Sequence, residues 1–183
     1  MLKNFFILVL LFFFNYASAT EKEKIISNFE KINNLSFDFE QNINGKIEKG
    51  NCIIQYQKKI FCKYSSKNNK ILVSNGKSIV IKTDSGSYYL YPLKSTPLNL
   101  ILDKKFLLEE INKLKSKENK KHFLIYSISR DGTIIDVFFD KKNYYLNKWQ
   151  ILDIYQNLSV THLSKILINQ EIDQKIFILP KSN

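Results

Sequence analysis

The sequence predicts a mainly β fold, an antiparallel sheet of short strands preceded by one helix. Apolar and polar residues alternate with a period of two in most segments after residue 34. Turn-forming groups such as Asn75-Gly76 and Asp131-Gly132 separate these segments at the spacing of β-hairpins. The β content is high and the connections are short, which favours a meander over an α/β fold.

The first 19 residues have the pattern of a secretory signal peptide. Lys3 provides a positive start, Phe5 to Phe14 is an unbroken apolar run, and Ala17-Ser18-Ala19 fits a cleavage site. We therefore expect an exported chain that is cleaved after Ala19. Thr20, not Cys, follows, so we expect a free, soluble product without a lipid anchor there. Residues 20–183 are long enough for one domain with a sizeable core.

The mature chain is predicted to begin with an amphipathic helix. Thr20 and Glu23 have the spacing of a capping box. Ile25, Phe29 and Ile32 then fall on one helical face, with Ile26 beside them.

From Leu35 onward the pattern changes to that of half-buried strands. After "LSFDFE", the strand-like segments are "KILVS", "SIVIKT", "SYYLYPL", "HFLIYSIS", "TIIDVFFD", "YYLNKWQILDI" and "LSVTHLSKILI". Turn signals separate them at residues 75–76, 84–86, 131–132 and 141–143. We find no internal repeat or Pro-, Gly- or Ser-rich linker, so one domain over residues 20–183 is expected.

The two cysteines are predicted to form a structural disulfide across a hairpin. Folding the segment about Gln57 places Cys52 opposite Cys62, and Ile54 opposite Ile60. In an exported protein an even pair is usually oxidised. A metal pair or a redox-active pair is disfavoured, because the spacing is not C-x-x-C and no histidine is nearby.

Two segments interrupt the strand pattern. In "YPLKSTPLNLILD", Thr96 is expected to cap a short helix that starts at Pro97 and is apolar on nearly every side. This helix is far too short to cross a bilayer. Residues 104–118 fit either a helix or a strand, and we expect a loop followed by a strand.

Catalytic, metal and cofactor motifs are scarce. His122 and His162 are isolated in strand-like segments, and Glu109-Glu110 is a poor acid/base pair. Gly76-Lys77-Ser78 lacks the earlier glycine that a phosphate-binding loop requires. We therefore expect a non-enzymatic protein with no cofactor and no metal.

The formal net charge of +11 falls to +10 once Lys3 leaves with the signal peptide. The lysines are scattered, and Arg130 is the single arginine, whereas nucleic-acid recognition requires clustered basic residues and arginine. We therefore expect no nucleic-acid partner. A solvated basic surface is favoured, and weak attraction to an anionic membrane or an acidic partner remains open.

The sequence is rich in aromatic residues, with 14 Phe and 10 Tyr. These side chains either fill the core of a β domain or line an apolar concavity that holds a ligand. The short helix after Pro97 favours the second alternative, because such a helix is suited to covering an apolar concavity.

Several segments resemble the LolA family of periplasmic outer-membrane lipoprotein carrier proteins. The order and spacing of the matching residues carry this resemblance. They are Phe39 and Gln41, Gly50 at a strand start, Tyr64 at a strand end, "ILVSNGKSIVIK", "YPLKSTPLNLILD", Trp149, Asp153, Thr161 and residues 177–180.

The resemblance implies an incomplete, strongly curved antiparallel β-barrel, with short α-helices that form a lid over an apolar cavity. It also implies a monomeric periplasmic chaperone that binds the acyl chains of triacylated lipoproteins. Such a carrier would receive them from an inner-membrane lipoprotein-releasing ABC transporter. It would deliver them to an outer-membrane receptor or to the outer membrane itself. The alternatives are a related lipoprotein sensor and, less favoured, a secreted enzyme with a polar cleft.

On this reading, large apolar side chains from the strands and the lid are expected to line the cavity. They are Phe37, Phe39, Phe61, Tyr89, Tyr91, Leu98, Ile101, Leu102, Phe139 and Trp149. Many family members have an Arg-Pro pair where this chain has Tyr56 and Gln57. Tyr56 is therefore the candidate for a polar latch, and apolar contacts from the lid helix are expected to carry more of the closure.

Overall fold

The computed structural model describes residues 19–56, 58–119 and 122–182. Residues 1–18 of the predicted signal peptide and Gln57, about which the cysteine hairpin was predicted to fold, lie outside these ranges. The strands are β1 (Asn34–Ile43), β2 (Lys46–Gln55), β3 (Lys59–Tyr64), β4 (Ile71–Asn75), β5 (Ser78–Lys82), β6 (Tyr88–Pro92), β7 (Lys117–Asn119), β8 (Phe123–Arg130), β9 (Thr133–Asp140), β10 (Leu146–Leu152) and β11 (Leu158–Ile168). The helices are α1 (Glu21–Glu30), α2 (Leu98–Leu102) and α3 (Lys104–Lys113), with 3₁₀ helices at Leu93–Ser95 and Gln174–Phe177.

All eleven of these strands belong to one antiparallel sheet, in the order β6-β5-β4-β3-β2-β1-β11-β10-β9-β8-β7. The chain enters the sheet at its centre, because β1 pairs with β2 on one side and with β11 on the other. The sheet curls around the helices, and β6 and β7 remain as its two edges. The predicted mainly β fold, an incomplete and strongly curved antiparallel barrel with short helices, is confirmed.

The N-terminal helix α1 forms as its sequence predicts. Thr20 Oγ1 accepts a hydrogen bond from the Glu23 N–H at 3.2 Å, and Glu23 Oε2 accepts from the Thr20 N–H at 2.7 Å. This is the predicted capping box. Ile25 and Phe29 are buried, and Ile32 is buried just beyond the end of the helix.

The β2–β3 hairpin has the predicted register. Cys52 pairs with Cys62, and Ile54 pairs with Ile60. The two cysteines form the expected disulfide. The symmetric apolar pattern of this segment therefore predicts both the register of the hairpin and its cross-link.

The start of α2 differs from the prediction. Pro97 occupies the N-cap position, and α2 begins at Leu98. The Thr96 hydroxyl does not cap α2, because Thr96 Oγ1 donates to the Leu93 carbonyl at 2.8 Å. The Thr96 hydroxyl is therefore bonded within the preceding 3₁₀ turn and not to α2, and the helix begins one residue later than expected.

The expectation of a loop and then a strand after Lys104 is wrong for most of the segment. Residues 104–113 form α3, and the strand β7 covers only residues 117–119. Asp103 Oδ1 accepts from the Phe106 N–H at 3.1 Å and caps the helix. Leu107 and Ile111, one helical turn apart, are both buried. The Asp103 cap and the burial of these two side chains stabilise a helix here in place of the expected loop and strand.

The main core lies between the concave face of the sheet and the three α-helices. Buried residues from the helices include Ile25, Phe29, Ile101, Leu102, Leu107 and Ile111. On the opposite face of the sheet, the 3₁₀ helix at Gln174–Phe177 packs against β3 and β4. Val73, Val80 and Phe177 are buried there, separately from the main core.

Helices in the described ranges are short: none has the length and apolar character that crossing a membrane requires.

Candidate ligand-binding cavity

A cavity of about 420 Å³ lies between the concave face of the sheet and the start of α2. Most of its wall is apolar and comes from β1 to β6, β10 and the α2 start. The apolar lining residues are Phe37, Phe39, Ile43, Cys52, Ile60, Cys62, Leu72, Ile79, Ile81, Tyr91, Pro97, Leu98, Trp149 and Ile151.

The floor of the cavity follows from strand alternation. Successive side chains of a strand point to opposite faces, so every second residue of β1 from Phe37 faces the cavity. The strand register then aligns Phe37, Cys52, Cys62 and Leu72 in one row across β1 to β4. The disulfide therefore lies in the apolar floor.

Two aromatic pairs stiffen the cavity wall. The ring centroids of Phe37 and Trp149 are 6.0 Å apart and those of Phe39 and Tyr64 are 5.1 Å apart, both in edge-to-face geometry. Gly50 is essential to the second pair, because a Cβ atom there would lie 2.8 Å from Phe39 Cε1. Gly50 lies within β2 opposite Tyr64, not at the start of a strand as expected.

One end of the cavity is polar, next to the β1–β2 and β10–β11 turns. Gln41 Nε2 donates to Ser159 Oγ and to Thr161 Oγ1, both at 3.1 Å. Asp153 and Asn157 complete this part of the lining. The cavity is therefore amphipathic, with its apolar part beneath α2.

Glu48 and Lys70 form an ion pair in the cavity wall at this polar end. Lys70 Nζ lies 2.5 Å from Glu48 Oε2 and 3.8 Å from the centre of the Tyr64 ring. Burial favours the neutral form of Glu48, but hydrogen bonds and charges from Lys70 and Lys46 outweigh it and lower the pKa of Glu48. Burial, and then the Glu48 charge, raise the pKa of Tyr64.

The predicted lining residues divide into two groups. Phe37, Phe39, Tyr91, Leu98 and Trp149 line the cavity. The structure places the other five elsewhere: Ile101, Leu102 and Phe139 in the main core, Phe61 on the opposite face of β3, and Tyr89 at the edge strand β6. Phe61 lies between Ile60 and Cys62, which both face the cavity, so alternation directs it outward.

Tyr56, the latch candidate, lies outside this cavity. Its ring packs edge-on against Phe29 at 5.2 Å, and its hydroxyl has no hydrogen-bond partner among the described residues. Burial raises the pKa of Tyr56. As placed, its hydroxyl forms no polar latch.

Two lysines form polar contacts that hold α3 in place. Lys58 Nζ, in the β2–β3 turn, lies 2.9 Å from Asp103 Oδ2 at the α2–α3 junction. Lys104 Nζ donates to the carbonyl oxygens of Glu30 and Ile32 at the end of α1, at 2.7 and 2.8 Å. These contacts hold α3 against α1 and the β2–β3 turn.

Sequence reasoning did not identify Glu48 and Lys70 as lining residues. A signal existed for Glu48, because counting in steps of two from Cys52 gives Gly50 and Glu48 on the same face of β2. Lys70 precedes β4 in a loop, where no periodicity predicts the direction of a side chain.

The lining of this cavity is suited to holding a ligand. An apolar wall with polar groups at one end fits an amphiphilic ligand whose tail is buried. Among residues 19–56, 58–119 and 122–182, no three His, Cys, Asp or Glu side chains are grouped to hold a metal ion.

The fold is similar to solved structures at low sequence identity. MucB has a TM-score of 0.51 and 9% identity, with 92% of this chain and 65% of MucB covered. A LolA superfamily protein from Nitrosomonas europaea has a TM-score of 0.46 and 10% identity, with 88% and 99% covered. A putative outer membrane lipoprotein-sorting protein domain from Vibrio parahaemolyticus has a TM-score of 0.44 and 10% identity, with 86% and 95% covered.

No curated protein matches the sequence. Residues 17–179 do match a family model, described as outer membrane lipoprotein carrier protein LolA. This family comprises periplasmic lipoprotein-binding proteins, not enzymes. Since the match spans most of the 183-residue chain and the curled sheet agrees with it, the chain belongs to the LolA family.

Proposed function

We propose that this protein is a periplasmic chaperone that binds the acyl chains of lipoproteins and carries them from the inner to the outer membrane. The observation that carries the proposal is the apolar cavity beneath α2, in a chain that belongs to the LolA family. The volume of about 420 Å³ is in the range of small-molecule sites, which is roughly 300–1,000 Å³.

Binding in such a cavity requires no catalytic group. Each CH₂ group removed from water contributes about 0.8 kcal/mol, so acyl chains bind through buried area. Pro97 and Leu98 at the start of α2 cover part of the cavity and act as its lid. A lipid with several chains needs more room than the cavity offers, so loading requires α2 and α3 to move away from the sheet.

The proposed partners follow from this role. The cargo is a triacylated lipoprotein, supplied by an inner-membrane lipoprotein-releasing ABC transporter. The acceptor is an outer-membrane receptor or the outer membrane itself. The chain is exported, cleaved after Ala19 and acts as a monomer.

The test is native mass spectrometry of the protein purified from the periplasm of its own host. A co-purified triacylated lipoprotein is the expected result. A protein that carries no lipid, and that takes up no lipopeptide on incubation, contradicts the proposal.

A release assay separates the carrier from a related lipoprotein sensor. The protein is incubated with inner membranes that contain radiolabelled lipoprotein and the ABC transporter, and the soluble fraction is counted. A carrier brings label into solution when ATP is supplied, whereas a sensor binds lipopeptide but leaves the label in the membrane.

A further inference from the structure

We propose that Glu48, Tyr64 and Lys70 recognise the polar head of the bound amphiphile, and that this head is an uncharged amide with both an N–H and a carbonyl group. The inference rests on the proposed function, because it assumes that an acyl chain occupies the cavity. The ligand would then be recognised in two ways, by burial of its acyl chain and by hydrogen bonds to its head.

The position of these three residues is the first argument. They line the apolar cavity and also an adjoining surface pocket of about 480 Å³. The pocket is bordered by the first four residues of β2, Lys46 to Lys49, and by Ser65 and Ser66 after β3. A ligand whose tail lies in the cavity would therefore meet these residues where its head reaches the protein surface.

The rigidity of the group is the second argument. Lys70 Nζ lies 2.5 Å from Glu48 Oε2 and 3.8 Å above the Tyr64 ring centre. The Lys70 carbonyl accepts from the Tyr64 N–H at 2.9 Å, which fixes the backbone beside the ring. The side chains of Lys70 and Glu48 are 23% and 16% exposed, so both are largely withdrawn from water before a ligand arrives.

The donor and acceptor pattern is the third argument. An ionised carboxylate only accepts hydrogen bonds, and an ammonium group only donates them. A singly charged head would be attracted by one of these groups and repelled by the other. An amide donates its N–H to Glu48 and accepts at its carbonyl from Lys70, so both groups are satisfied.

Two further lysines line the surface pocket and do not change this pattern. Lys46 Nζ lies 3.3 Å from Glu48 Oε1, but the Lys46 side chain is 78% exposed. Lys49 Nζ is paired with Glu40 Oε2 at 2.6 Å, and the Lys49 side chain is 63% exposed. Charged groups that remain hydrated contribute little to binding.

The experiment compares two matched probes by calorimetric titration below their micelle concentrations. N-methyldodecanamide has an N–H and a carbonyl group, whereas N,N-dimethyldodecanamide has lost the N–H. We expect the purified protein to bind the first about tenfold more tightly, the size of one hydrogen bond to a charged group. Sodium dodecanoate, with an anionic head, is expected to bind more weakly than N-methyldodecanamide.

Three variants locate the effect. Glu48→Met should abolish the preference for the N–H probe, and Lys70→Met should weaken both amides by about tenfold. Lys70→Arg, which keeps a donor, should retain the preference. The Asp38→Asn/Lys165→Met variant is the matched control, because that pair is 2.8 Å apart on the exposed surface, and it should bind like the wild type. Near-ultraviolet circular dichroism confirms that each variant is folded.

Equal binding of the two amides by the wild type, or a preference that survives in Glu48→Met, overturns the inference. The inference is also overturned if dodecanoate binds more tightly than either amide and its affinity falls only in Lys70→Met. That result would identify an anionic head. A wild-type protein that binds none of the probes but takes up lipopeptide overturns the inference alone. A protein that also takes up no lipopeptide overturns the proposed function as well.

Discussion

The Lys58 ammonium lies 2.9 Å from the Asp103 carboxylate, and this ion pair joins the β2–β3 turn to the junction between α2 and α3. Asp103 also caps α3 through the Phe106 N–H. One carboxylate therefore fixes both the start of a helix and its position against the sheet.

Replacement of Asp103 by Ala should destabilise the fold by about 1 to 2 kcal/mol, because it removes a helix cap and a partly buried ion pair. The measurement is urea unfolding followed by circular dichroism. Asp103→Asn, which keeps a capping oxygen, should cost less. Equal losses in the two variants would assign the whole effect to the ion pair.

The same pair predicts a dependence of stability on pH. Burial opposes ionisation of Asp103, but the hydrogen bonds from Lys58 and the Phe106 N–H and the Lys58 charge lower its pKa below the ordinary value. A lowered folded-state pKa contributes stability that is complete above the unfolded pKa, about 3.9, and is lost as the pH falls through the folded value. The difference in unfolding free energy between wild type and Asp103→Asn should therefore shrink below about pH 4. A difference that grows on acidification contradicts this assignment.

Leu98→Asp should weaken lipopeptide binding by at least tenfold while the protein remains folded, because Leu98 lines the cavity and is only partly buried. Leu100→Asp is the matched control, since Leu100 lies on the same helix but not in the cavity wall. The measurement is displacement of a fluorescent fatty-acyl probe. Binding that is unchanged in Leu98→Asp contradicts the role of α2 as the lid.

Reduction of the Cys52–Cys62 disulfide should lower the unfolding free energy by about 2 to 3 kcal/mol, the effect expected for a short closed loop. Urea unfolding with and without a reductant measures it. The Cys52→Ala/Cys62→Ala variant is the control, and its stability should not respond to the reductant. Because both cysteines line the cavity floor, the affinity of this double variant for an acyl probe should also fall.

Gly50→Ala should destabilise the fold by about 1 to 3 kcal/mol, because the new Cβ would overlap the Lys63 carbonyl oxygen and press on Phe39. The displaced Phe39 ring should also reduce acyl-probe binding. Gly45→Ala provides the contrast: that position has a φ of +90° but open space around it. It should lose stability through the backbone alone, with binding unchanged.

Tyr56→Phe should leave the stability unchanged or raise it by about 1 kcal/mol, because the Tyr56 hydroxyl is buried without a partner among the described residues. Thermal unfolding measures this. A clear loss of stability in Tyr56→Phe would show that the Tyr56 hydroxyl does form a stabilising bond, as a latch requires.

The sequence by itself determined the local elements of this protein. The capping box of α1, the hairpin that pairs Cys52 with Cys62, and the alternating strands follow from interactions between near neighbours. The family resemblance added the curled sheet and an apolar cavity. Half of the expected lining residues, such as Phe37 and Trp149, do lie in its wall.

Only the tertiary structure decided the rest. The segment after Lys104 has an ambiguous pattern, and burial of Leu107 and Ile111 against α1 and the sheet makes it a helix. The direction of Lys70 is set by the Tyr64 ring and Glu48, which are brought to it by strand pairing. Contacts between residues distant in sequence carry no periodic signal, so the polar end of the cavity emerges only when the sheet is assembled.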